Sequence, residues 1–463
     1  MNIRRELFIA QTGLFILLSV ICRASGPETM ARWEQQPSEL RVFSDRKAGV
    51  LAAWITTDSS GPSAGQAGSW VGAQLINFNG KNQWGHSGVR LTPAALSYKE
   101  LRAASDHNGG AVLVWKEESA AQVRYWLQRV DTRGGVRWPV PGVLVASPTV
   151  SSSAMALDVD EKGRTYLAWE ELEGDHSVLR CQIIDDQGHP KWPAGGRIVA
   201  LAHVSLTPPA IAADLEGGFL VVWRSSDPAS ALFTGQYVDS NNRVLWDVAG
   251  SVVSTQQASQ PVIQSAVYTT DHELLVVWKD TNQVGNTWTA QSMNAHGKRR
   301  WGDEGMSLNY QKGEQENDSI SVDRMGKMTL AWEEASASPR KIFLQQWDWK
   351  GLALWNISGA AVVEAREGEQ RDPYVVAEDG DAHVLWLDNT DHPWELYAQR
   401  MKGNGEPAWH SGAVVTPVGT SPGRPLGSSD FSGGVVALWL EQTPAQDWLL
   451  QAFRINASGS PAW

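Results

Sequence analysis

Sixteen tryptophans set at a fixed interval constrain this chain more than any other feature. One series runs Trp54, Trp115, Trp169, Trp223, Trp278, Trp332, Trp386 and Trp439, and the other Trp84, Trp138, Trp192, Trp246, Trp301, Trp355, Trp409 and Trp463. The second series advances by 54 residues at every step but one, which is 55, so the 463-residue chain consists of eight copies of one unit. Continuous repetition overrides the usual expectation of one domain per ~150 residues and predicts a single array. It fixes an architecture while leaving the ligand open, because function resides in sites that a fold carries.

The second copy displays the unit. Residues 105–110 (SDHNGG) read as a turn, rich in residues that tolerate left-handed backbone or cap it through the side chain. Ala111 to Trp115 (AVLVW) reads as a strand covered on both faces, Val123 to Val130 (VRYWLQRV) as a third strand, and residues 131–134 as a turn into a fourth strand that carries Trp138. Residues around Ala103 supply the first. Four short antiparallel strands that cannot bury both faces alone are the mark of a propeller blade, and eight copies predict an all-β, eight-bladed β-propeller over residues 37–463. Other copies continue past the second tryptophan with a segment such as Gly142 to Val145, which the eighth copy lacks. Residues near Ala31 to Gln36, including Trp33, are therefore expected to complete the last blade.

Recurrence within the chain takes the place of an alignment. Gly80, Gly134, Gly188, Gly297, Gly351, Gly405 and Gly459 stand four residues before the second tryptophan, with Asn242 in the fourth copy, which predicts a left-handed hairpin position. Gln74, Gln128, Gln182, Gln236, Gln291, Gln345 and Gln399 stand ten before it, with Phe453 in the eighth copy. An amide repeated inside an apolar strand is read as satisfying nearby backbone groups, since seven identical ligand contacts would rarely be needed. The paired tryptophans are read as glue between blades, each removing about 200 Å² from water.

Two patterns, GG-x-x-V-x-W (GGAVLVW, GGFLVVW) and Q-x-V-D-x-x-G-x-x-x-W (QRVDTRGGVRW), resemble the repeat of secreted bacterial tryptophan-repeat β-propellers. They are similar, more distantly, to the tryptophan-docking repeat of eight-bladed quinoprotein-like propellers. Here the turn is one residue shorter, with Asp131, Asp185, Asp239 and Asp348 seven before Trp, and the adjacent cysteines that such dehydrogenases carry are missing. Quinoprotein activity is thus not implied, whereas an outer-membrane assembly scaffold of that architecture needs no such site. Sialidase-type Asp boxes have a tighter spacing than this chain shows.

The formal net charge of -12, with no basic stretch interleaved with aromatics, argues against nucleic acid as a partner. Mean hydropathy of -0.30 with 19% charged residues describes a soluble body with a polar surface. Arg4 and Arg5, an apolar stretch from Leu7 to Ile21 and small residues Ala24, Ser25 and Gly26 read as a signal peptide over 1–24. The stretch is too short for a membrane span of about 20 residues. A periplasmic or extracellular monomer is expected, with residues 25–36 preceding the propeller. A lipoprotein through Cys22 is disfavoured by the bulky Ile21. Loss of Cys22 leaves Cys181 alone, read as a buried small hydrophobe.

The search for chemistry yields two candidate sets. Two residues after the first tryptophan stand Thr56, Glu117, Glu171, Ser225, Asp280, Glu334, Asp388 and Glu441, six of them carboxylates. On the loop face of a propeller they would either form a ligand-binding or acid/base mouth, or cap turns and pair with nearby Lys or Arg; their periodicity favours the second. Off the ruler, Trp70, Trp126, Trp288, Trp394 and Trp448 fall near the start of the third strand, where aromatics either stack on sugars or peptides or pack against outer strands. The Gly- and Ser-rich residues 58–69 flank this region. No catalytic motif, metal-ligand spacing or cofactor fingerprint occurs. The sequence thus points to an exported recognition or scaffold module for a protein or glycan, with a glycan-processing enzyme using loop-face carboxylates as the alternative.

Overall fold

A computed structural model describes residues 26–463 apart from 48, 59–67, 94–96, 120–121, 149–154, 175, 203–205, 226–231, 248, 257–260, 283–284, 309–314, 335–337, 357, 364–365, 379–380, 391–392 and 417–421. The segment read as a signal peptide, Cys22 included, lies outside the described residues, as does most of 58–69. Thirty-two strands form eight four-stranded antiparallel sheets arranged as an eight-bladed β-propeller. No helix of the described residues is long and apolar enough to cross a membrane.

Blade two shows the pattern. Its strands, β6 (Ser97–Ser105), β7 (Ala111–Glu118), β8 (Val123–Val130) and β9 (Val143–Ala146), pair in chain order. The innermost strands line the channel and pack on one another in sequence: β2 (Glu39–Ser44), β6, β10 (Ala156–Val159), β14 (Ala210–Ala213), β18 (Pro261–Tyr268), β22 (Gln315–Val322), β26 (Gln370–Glu378) and β30 (Leu426–Ser429). The ring closes where β30 meets β2. Blade eight takes its fourth strand from β1 (Glu28–Trp33), which pairs antiparallel with β32 (Trp448–Ile455). Trp33, opposite Trp448 in that ladder, meets the Trp54 ring edge-on at 5.2 Å and seals blade eight to blade one.

The fourth strand differs from its sequence assignment. In blade two it is residues 143–146, and the Trp138 segment makes only a single bridge, Val130 to Val136, before leaving the ladder. The repeated glutamine explains the departure. Gln128 Oε1 accepts from the Arg129 N–H at 3.0 Å and the Trp138 N–H at 3.1 Å, while its Nε2 donates to the Trp138 carbonyl at 3.0 Å. A buried side chain thus stands in for strand pairing; in the other six copies the glutamine Oε1 likewise accepts from the tryptophan N–H, while Nε2 donates to the carbonyl of that tryptophan for Gln182 and Gln399 and to the carbonyl of the next residue for Gln74, Gln236, Gln291 and Gln345.

The first tryptophan series is buried throughout, in the cores between blades. The second series docks onto the following blade. The Trp84 indole N–H donates to the Thr132 carbonyl at 3.2 Å, and Trp463 closes the circle by donating to Phe78 at 2.8 Å. The recurring glycine lies under the preceding blade's indole. At Gly188, with φ +90°, an added Cβ would lie 2.6 Å from Nε1 of Trp138. Asn242 also holds a left-handed conformation, at φ 64°.

Candidate functional site

Antiparallel alternation places the starts of the innermost strands and the ends of the second strands on one face. Glu117 pairs with Tyr98 and Asp388 with Gln370 in the ladders, so the ruler carboxylates do lie at this loop face. There most of them have partners. Glu117 accepts from Arg124 at 3.3 Å and from the Trp126 indole N–H at 2.8 Å, which joins two of the candidates within blade two. Glu171 pairs with Arg180 at 2.9 Å. Asp388 is fully buried, taking Arg366 Nε at 3.1 Å and the Thr390 N–H at 2.8 Å. Asp280 is buried beside the charge of Arg224. Glu334 stands opposite Lys341, and Glu441 opposite Leu449, each half-buried.

The off-ruler tryptophans are dispersed. Trp288 is buried in the core between blades five and six, its N–H donating to Asp318 at 2.8 Å. Trp70 lies under Arg90 at 5.0 Å and Trp394 under Arg371 at 5.2 Å, while Trp126 and Trp448 pack half-buried against blade cores. A free aromatic rim is not what these five positions build.

Several concavities lie instead in the channel. At its loop-face end a cavity of about 570 Å³ is lined by Arg102, Leu157, Pro208, Pro209, Val262 and Gln264, among others, from blades two to five. Gln264 is shared with a neighbouring cavity of about 440 Å³, where Tyr374 meets the ion pairs Lys279–Asp318 and Arg424–Asp372. Among the described residues the Tyr374 hydroxyl has no hydrogen-bond partner, and burial raises its pKa.

Tyr374 also borders a cavity of about 630 Å³ that runs toward the opposite face. Arg324 of blade six there reaches Glu161 of blade three at 2.8 Å, across the channel. Asp158 lies at mid-depth and borders the cavities on both sides. Burial raises its pKa, against the N–H groups of Ala213 and Val159 and the charges of Arg324 and Arg46. Burial, with Arg46 and Arg324 adding to it, pushes the His107 imidazole down to about 4.

None of these channel residues was singled out by the sequence, although one signal was present. Thirteen residues before the first tryptophan, four copies carry the small residues Ala156, Ala210, Ser265 and Ser319, two carry Pro373 and Leu426, and two neighbouring copies carry Arg41 and Arg102. Among the described residues no group of three or more His, Cys, Asp and Glu is disposed to hold a metal ion. Cys181 is buried and its thiol is pushed up by desolvation.

No family model matches the chain, and no curated protein matches it. Among solved structures the chain is similar to polysaccharide lyase Uly1, at 10% identity over 78% of this chain and 89% of that one, with a TM-score of 0.42. An ulvan lyase of polysaccharide lyase family PL25 gives 10%, 77%, 91% and 0.42, and a glycosyl hydrolase from Bacteroides ovatus 11%, 63%, 95% and 0.29.

Proposed function

We propose that the chain is an exported recognition or scaffold module that binds a glycan at the loop-face end of its channel. The observation that carries this reading is the cavity of about 570 Å³ walled by residues of four blades, where apolar surface from Leu157, Pro208, Pro209 and Val262 lies beside isolated polar groups such as Arg102 and Gln264. Pockets of that size and mixture suit small and carbohydrate ligands, whose rings bring apolar faces and a hydroxyl rim. A glycan-processing enzyme built on the ruler carboxylates would need two of them converging within about 5 to 10 Å. Glu117, Glu171 and Asp388 are bound instead by arginines of their own neighbourhoods.

The test is a glycan array probed with the chain from residue 25, joined to an unbiased pull-down. Retention on a subset of glycans, weakened severalfold by Gln264→Ala at an unchanged melting temperature, is the expected result. An array with no retained glycan and one captured protein would replace the glycan with a protein ligand. Export belongs to the same proposal. Cleavage after Ala24 should give an N-terminus at Ser25 by mass spectrometry, and a lipidated Cys22 would overturn it.

A further inference from the structure

At the loop-face end of the channel two guanidinium groups converge on one oxygen. Arg41 Nε donates to the Leu101 carbonyl at 3.1 Å, and Arg102 Nη1 donates to the same carbonyl at 3.0 Å. A single carboxylate serves the two. Glu39 Oε2 accepts from Arg41 Nη2 at 3.1 Å, and its oxygens are already engaged by the N–H groups of Glu100 at 2.6 Å and Leu101 at 3.0 Å. Among the described residues Arg102 has no carboxylate partner, and its own neighbouring carbonyl is the one acceptor it reaches. The pair therefore carries a surplus positive charge at the wall of the cavity, which Arg102 lines with one of its five N–H donors bonded.

Adjacent like charges oppose each other, and a partly desolvated guanidinium without a partner is costly to the fold. Burial and then Arg102 lower the pKa of Arg41, while Glu39 opposes them. Six blades manage this level without a charge, since Ala156, Ala210, Ser265 and Ser319 stand there in blades three to six and Tyr374 and Leu426 in blades seven and eight. Stability gives no reason for the second arginine. A ligand that brings its own negative charge does.

We propose that Arg102, backed by Arg41, is a carboxylate-binding subsite, and that the ligand of the channel is an acidic glycan whose uronate-type carboxylate docks there. The assignment rests on the glycan reading above and narrows it to a substrate class. The planar fork of Arg102 matches a carboxylate bidentately, which a lysine cannot do. The polar and apolar groups that remain, Gln264 and the faces of Pro208, Pro209 and Val262, are left to meet the ring.

The experiment compares oligogalacturonate with neutral maltotetraose by calorimetric titration, using the chain from residue 25, its Arg102→Gln and Arg102→Lys variants, and poly-glutamate as a third probe. The expected result is a preference for oligogalacturonate that falls about tenfold or more in Arg102→Gln and partly in Arg102→Lys, and that weakens with added salt. The melting temperature of Arg102→Gln should be unchanged or higher, because a repulsion has been removed, whereas a merely structural arginine would lower it. If Arg102→Gln binds both sugars as the parent does, the carboxylate subsite is overturned while the glycan reading stands. Binding of poly-glutamate with neither sugar bound overturns both. The absence of binding by any probe also overturns the acidic-glycan assignment.

Discussion

Single residues explain why the repeat is so strict. The glycine four before the second tryptophan answers two demands at once, a left-handed φ and the indole of the preceding blade. Gly188→Ala, at φ +90° and with its Cβ 2.6 Å from Trp138, should cost at least about 2 kcal/mol in urea unfolding. The sequence disclosed the first demand, through the Asn242 replacement, but not the second, since the indole arrives from 50 residues upstream. Gln128→Leu leaves the Arg129 and Trp138 amides without their acceptor and should cost about 1–3 kcal/mol. His383 adds a pH dependence. It is buried between blades seven and eight, facing the Gly433 carbonyl at 3.2 Å, and its pKa falls to about 4 through burial and then Arg400, with Asp381 and Asp430 opposing. Below its ordinary 6.5 the unfolded chain takes up the proton first. Stability is therefore full above that pH and declines toward pH 4 by up to about 3 kcal/mol. The fall in melting temperature between pH 7 and pH 5 should shrink in His383→Gln; an undiminished fall would assign the effect elsewhere.

Strands and hairpins were legible where burial repeats and misread where a side chain replaces a ladder. Ala111–Glu118 and Val123–Val130 follow from their apolar runs, but the alternation points to a fourth strand on Trp138, because nothing in it reveals that Gln128 takes over the Trp138 amide. The tryptophan classes should separate by measurement. Trp223→Ala, in the core between blades three and four, should lose about 3–5 kcal/mol, and the half-buried Trp126→Ala distinctly less. Equal losses would place Trp126 in the core. Deleting residues 26–36 removes β1 and uncovers β32, so the melting transition should fall by several degrees and broaden. An unchanged transition would mean that the β1 ladder contributes nothing to closure.

At the scale of the whole molecule, the periodicity that reveals the ring conceals its site. A channel cavity draws its lining from several blades, each with different side chains there, and bulges in β6, β18, β22 and β26 shift the innermost strands out of phase with the tryptophan series. Arg102, Gln264 and Tyr374 thus stand at three different distances along the sequence from their tryptophans, whereas the carboxylates two after the first tryptophan keep one spacing and mostly serve their own blades. The cross-channel pair Arg324–Glu161 is solvent-exposed, so Glu161→Gln should change stability by less than about 1 kcal/mol. Closure has a further consequence, in time. Thr29 of β1 bonds Gln451 of β32 at a separation of 422 residues, in the sheet that completes the ring. At a synthesis rate of about 5–20 residues per second, the partner strand follows β1 by roughly twenty to eighty seconds. Met30, Ala31 and Trp33, buried once the ring is shut, have no ladder to join during that interval. The oldest strand is the last to be placed, and a chain halted after blade seven keeps it waiting beside an open edge.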